Sequence, residues 1–142
     1  MKTRVLSALL ALAFVWPATA FAQSLFSREL VVIPVRPIDA TSFEVIENDG
    51  AGGTSMWCAA SIFVEDYLDL RGAQITVAQA RGDSAAFPGR KSVIFTIEPV
   101  AGAVKSYSQG VRTLGQTFSQ GHANALCRSQ PEYVVRVRVV TP

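Results

Sequence analysis

Three side chains in this chain could do covalent chemistry by type and spacing: Cys58, His122 and Cys127. Cys58 lies in the stretch GAGGTSMWCAAS, residues 50–61, where glycines give way to small residues suited to the first turns of a helix. A thiol near a helix N-terminus feels the positive end of the peptide dipoles, which favours the thiolate. His122, the single histidine, would then be the base that such a nucleophile needs. The competing fate is oxidation: Cys58 and Cys127 are the only cysteines, and a bridge between them would consume both thiols. The same helix start offers a second chemistry, since the amides of Gly52 and Gly53 and the hydroxyls of Thr54 and Ser55 could hold an anion. The run lacks the lysine of a phosphate-binding P-loop, and its simpler role is to let the chain turn tightly into the helix. With one histidine and no clustered carboxylates no metal site can be assembled, and no cofactor is implied. Glu65, Asp66 and Asp69 read as the solvated side of the helix, and Arg81-Gly82-Asp83 as a chance spelling in a turn.

The compartment favours oxidation. Lys2 and Arg4 precede an uncharged apolar run from Val5 to Trp16, then Pro17 and Ala20-Phe21-Ala22, the pattern of a secretory signal peptide over residues 1–22. Cleavage after Ala22, or after Ala20, would release a secreted or periplasmic product into surroundings where disulfides persist. The apolar run is shorter than the roughly 20 residues of a membrane span, and no later stretch approaches that length. Loss of Lys2 and Arg4 leaves 11 basic residues against 11 acidic ones. A neutral domain without a basic stripe is not expected to bind nucleic acid.

Elements that would position these residues follow from periodicity. Residues 23–42 read as an N-terminal segment whose strand, Glu29 to Val35, is expected at an edge or to end near Pro34, which cannot donate to a ladder. Residues 43–142 read as one domain. It opens with a short strand, Phe43 to Glu47, ended by Asn48-Asp49-Gly50. A helix capped by Thr54 or Ser55 puts Met56, Trp57, Ala60, Phe63, Val64, Tyr67 and Leu68 on one arc and stops at Gly72. Cys58 and Ile62 fall on the polar side, so a second segment is expected to cross there and meet the thiol. Gln74 to Gln79 and Ser92 to Glu98 form a long-looped hairpin, and Tyr133 to Val140 alternates as a half-buried antiparallel strand with Arg136 and Arg138 in water. Residues 103–111 read as strand or loop, and Thr117 to Arg128 as a second helix carrying Cys127 near its end. The expected fold is α+β: an antiparallel or mixed sheet of about five strands with two helices packed on one face, bridged by Cys58 to Cys127.

The order of a cysteine at a helix start followed by a histidine is similar to that of NlpC-type cell-wall peptidases and related papain-like hydrolases. It departs from them because His122 sits in an Ala/Asn-rich helical segment instead of a strand, with no third group to orient it. The glycine loop resembles the one before the cofactor helix of acyl-CoA-dependent acetyltransferases, but export argues against that cofactor. From Phe43 to Val140 the chain is similar to small secreted bacterial proteins of unknown function, through GAGGTSMWC and PGRKSVIFTIEP. That resemblance implies no activity and transfers no site residue. The expectation is therefore a non-catalytic, disulfide-stapled module that binds a partner or ligand in the cell envelope, with a thiol hydrolase using Cys58 and His122 as its rival.

Overall fold

The computed structural model describes residues 28–48 and 50–141, so the expected signal peptide lies outside the described residues. Seven strands form one mixed sheet: β1 (Glu29–Pro37), β2 (Ser42–Ile46), β3 (Gln74–Asp83), β4 (Lys91–Thr96), β5 (Val104–Lys105), β6 (Gln116–Ser119) and β7 (Tyr133–Val139). Their order is β5-β6-β3-β4-β2-β1-β7. Two helices, α1 (Gly53–Asp66) and α2 (Gln120–Ala125), accompany the sheet, and a 3-10 turn, Leu126–Arg128, continues α2. Among the described residues no helix is long and apolar enough to cross a membrane.

Alternation along the strands builds the core on one side. Val31, Ile33 and Val35 of β1, Phe43 and Val45 of β2, Ile75 and Val77 of β3, and Val93 and Phe95 of β4 are all buried. α1 lays Trp57 and Phe63 onto this face: the Phe63 ring sits 4.6 Å from Phe43, and Trp57 lies 4.8 Å from Phe95 and 4.4 Å from Phe118. These tilted ring pairs avoid the face-to-face sandwich that the aromatic quadrupole disfavours and fix the helix laterally.

The opposite side of the sheet is polar. Ser42 meets Thr96 at 3.4 Å and Thr76 meets Thr117 at 2.8 Å, a row of hydroxyls crossing β2, β4, β3 and β6. Glu44, only 2% exposed, accepts from Arg36 at 2.8 Å and from Ser84 Oγ at 2.6 Å. Ser84 begins the β3–β4 connection, so this carboxylate ties that connection to β2.

Several expectations need correction. β1 is interior, not an edge: it runs parallel to β7, with Ile33 opposite Val137 and Pro34 opposite Arg138. Val140 N donates to Val35 O, whereas Val32 O accepts from the Asn48 side chain, so odd residues of β1 face β7 and even ones face β2. The proline therefore turns its missing donor toward β2, where the ladder begins only at Val35, and nothing is broken. β7 is accordingly parallel to its neighbour instead of antiparallel. The expected second helix starts late because Thr117 and Phe118 belong to β6, paired with Thr76 and Ile75; Ser119 then caps α2 by accepting from His122 N. The expected hairpin of β3 and β4 is present, antiparallel and bulged between Val77 and Gly82, and β3 additionally pairs with β6 on its other side. The sheet thus has seven strands where about five were expected.

Candidate functional site

The bridge is the best-defined chemical feature. Cys58, fully buried on α1, is disulfide-bonded to Cys127 of the 3-10 turn with 4.9 Å between Cα atoms. No free cysteine remains among the described residues. The segment that packs against α1 and brings Cys127 to Cys58 is α2 with its 3-10 extension, and Ile62 is partly buried against the core. Ser61, one turn after Cys58, donates to the Cys58 carbonyl at 2.8 Å and lies 3.9 Å from Cys127 Sγ. Closing a loop of 69 residues removes denatured-state entropy worth on the order of 4 kcal/mol.

Glu65 belongs to this junction as well. Sequence periodicity places it in solvent, but it accepts from Gln120 Nε2 at 2.8 Å and from Asn124 Nδ2 at 3.3 Å. Gln120 is itself buried, so a carboxylate on α1 satisfies an amide that α2 cannot expose. Helical spacing alone carries no signal of this, because the partner arrives 55 residues later.

At the start of α1 the structure reassigns the glycines and hydroxyls. Gly52 is the N-cap and no side chain caps the helix, which corrects the expected caps Thr54 and Ser55. Thr54 Oγ1 instead donates to Gln109 Oε1 at 2.7 Å, and Ser55 Oγ donates to Gln130 Oε1 at 2.7 Å. A Cβ at Gly53 would collide with the Gln109 carbonyl oxygen. Trp57 Nε1 donates to Gly110 O at 3.2 Å one turn further on. The glycine run therefore lets the β5–β6 connection lie directly on the helix start. A cleft of about 400 Å³ opens beside it, lined by Gly50 to Gly53, Glu47, Arg81 and Arg112 among others. Its Arg81 is bonded to Glu47 at 2.6 Å, which holds the guanidinium more basic than usual. Arg81 to Asp83 close β3 instead of forming a turn, and Asp83 pairs with Lys91 at 2.6 Å.

His122 is placed elsewhere. It lies exposed on α2 with its ring stacked 4.3 Å from that of Phe118. It borders a pocket of about 230 Å³ with Phe118, Ser119, Gln74, Lys105 and Tyr107 among its walls. Cys58 is absent from those walls. No cluster of three or more metal-ligating side chains occurs among the described residues.

Glu44 was not singled out by its position in the sequence, yet it is the most buried carboxylate described. Burial pushes its pKa up, but the Ser84 hydroxyl, the nearby Ser92 hydroxyl and Arg36 outweigh that and hold it below the usual carboxylate value. Ser92 Oγ is buried without closing a hydrogen bond of its own. The only hint in the sequence is that Glu44 interrupts the apolar residues Phe43, Val45 and Ile46.

No family model, curated protein or solved structure matches this chain.

Proposed function

We propose that this protein is an exported, disulfide-stapled module that binds a partner or ligand in the cell envelope and carries out no thiol chemistry. The observation that supports this best is the Cys58–Cys127 bond, which leaves neither sulfur as a nucleophile, at a Cys58 that is completely buried. Export is supported by the leader pattern over residues 1–22 and by a bond that persists in oxidising compartments. The ligand surface we assign is the pocket beside His122. Its aromatic wall of Phe118 and His122, the ammonium of Lys105 and the hydroxyl of Ser119 suit a polar ring carrying an anionic group.

Intact mass and thiol labelling of the exported protein, before and after reduction, test the first half. A bridged module gives no labelling until reduced and a mass lighter by the bridge's pair of hydrogens. Fast labelling of the unreduced monomer at neutral pH overturns it and favours a hydrolase using Cys58 and His122. The second half is tested by titrating N-acetylmuramic acid, an anionic amino sugar, into labelled protein and following amide shifts. Shifts confined to residues around Lys105 and His122, lost in His122→Ala, are expected. Shifts elsewhere, or none at millimolar sugar, overturn the assignment of this pocket.

A further inference from the structure

The sheet ends on β7, seven residues long, with nothing among the described residues paired to its outer side. Glu29 N donates to Glu132 O and Val140 N donates to Val35 O, so even-numbered residues of β7 spend their backbone groups on β1. Odd-numbered residues 133, 135, 137 and 139 therefore direct their N–H and C=O groups toward the open edge, a template for another strand. The side chains beside this edge, on the face away from α1, are Glu132, Val134, Arg136 and Arg138, all exposed. None of the three charged ones is ion-paired among the described residues. Val134 stands opposite Leu30 of β1, and the two are 39% and 49% exposed, an apolar step next to the charges.

We propose that β7 joins β7 of a second copy, antiparallel about a two-fold axis at Val135, to give one continuous sheet through the dimer. Charge selects this arrangement. With the axis at Val135, Arg138 faces the partner's Glu132, Arg136 faces the partner's Val134, and each contact occurs twice. An axis at Arg136 sets Arg136 against its own copy, and an axis at Val137 sets Arg136 against the partner's Arg138. These like-charged pairs would fall at the closely spaced, non-hydrogen-bonded positions of the ladder. An axis at Val134 pairs Arg136 with the partner's Glu132 but brings Pro131, which has no N–H, opposite Val137 and shortens the ladder. Only the Val135 register combines opposite charges with a full run from residue 132 to 138.

Sedimentation velocity on the oxidised protein across a thousand-fold concentration range tests this, with Arg138→Glu, Glu132→Arg and the double exchange. The expected result is a concentration-dependent dimer, weakened at least ten-fold by either single exchange and recovered by both together. A monomer at every concentration overturns the proposal and leaves the edge to a foreign strand or to solvent. A dimer indifferent to the single exchanges, or one that the double exchange fails to restore, overturns this register and this edge.

Discussion

Gly53 and Gln109 meet backbone to backbone, so closely that a methyl group on Gly53 would overlap the Gln109 carbonyl oxygen. Gly53 opens α1 and Gln109 belongs to the connection between β5 and β6, so this contact joins the helix start to the β5–β6 edge of the sheet. A neighbouring glycine, Gly52, has open space where its Cβ would be.

Adjacent glycines are therefore expected to respond oppositely to substitution. Gly53→Ala forces the connection away and should cost about 1–3 kcal/mol, the usual penalty of overpacking. Gly52→Ser supplies the missing N-cap oxygen and should be neutral or stabilising by a few tenths of a kcal/mol. Urea unfolding of the two variants reads both values, and equal losses would show that the close approach has no energetic weight.

Removing the bridge has a larger effect. Cys58→Ala with Cys127→Ala should lower stability by up to about 4 kcal/mol, the loop-closure value. The fold should survive, because Trp57 and Phe63 still seat α1 on the sheet. Thermal unfolding with and without reductant gives the same comparison in the unmodified chain. No change on reduction would mean that α2 is held by Glu65 and packing alone.

Trp57 joins the two sides of that packing, since its ring touches Phe95 and Phe118 while its Nε1 reaches Gly110 O. Trp57→Phe keeps most of the buried area and loses the hydrogen bond, for about 1 kcal/mol. Trp57→Ala should cost about 3–5 kcal/mol. Denaturant midpoints at constant m-value separate the two contributions.

Glu44 gives a pH signature with a definite sign. Its pKa is lower folded than unfolded, so the stability it contributes is fully present above the unfolded carboxylate value and is lost as pH falls through the folded value. Glu44→Gln should flatten the acid limb of the stability–pH profile and lower stability at neutral pH, where Arg36 loses its partner. If the acid limb is unchanged, other carboxylates govern it.

Much of this architecture is legible before any coordinates. The β-branched runs of β1, β2, β4 and β7 and the 3.6-residue spacing of Met56, Trp57, Ala60, Phe63 and Val64 each report burial within one element. The oxidised pair follows from counting, because two cysteines behind an export-type leader have each other as partners. Only tertiary structure decides what depends on a neighbour distant in sequence. Pro34 signals an edge locally, yet parallel pairing of β7 on its other side makes β1 interior. Thr117 and Phe118 suit a helix by composition, but pairing with β3 draws them into the sheet. Thr54 and Ser55 have the chemistry of caps, and Gln109 and Gln130 claim their hydroxyls instead. Local sequence encodes which face of an element avoids water. Which polar atom finds which partner is set where segments 50 to 75 residues apart close on one another, since each buried donor or acceptor must be matched there.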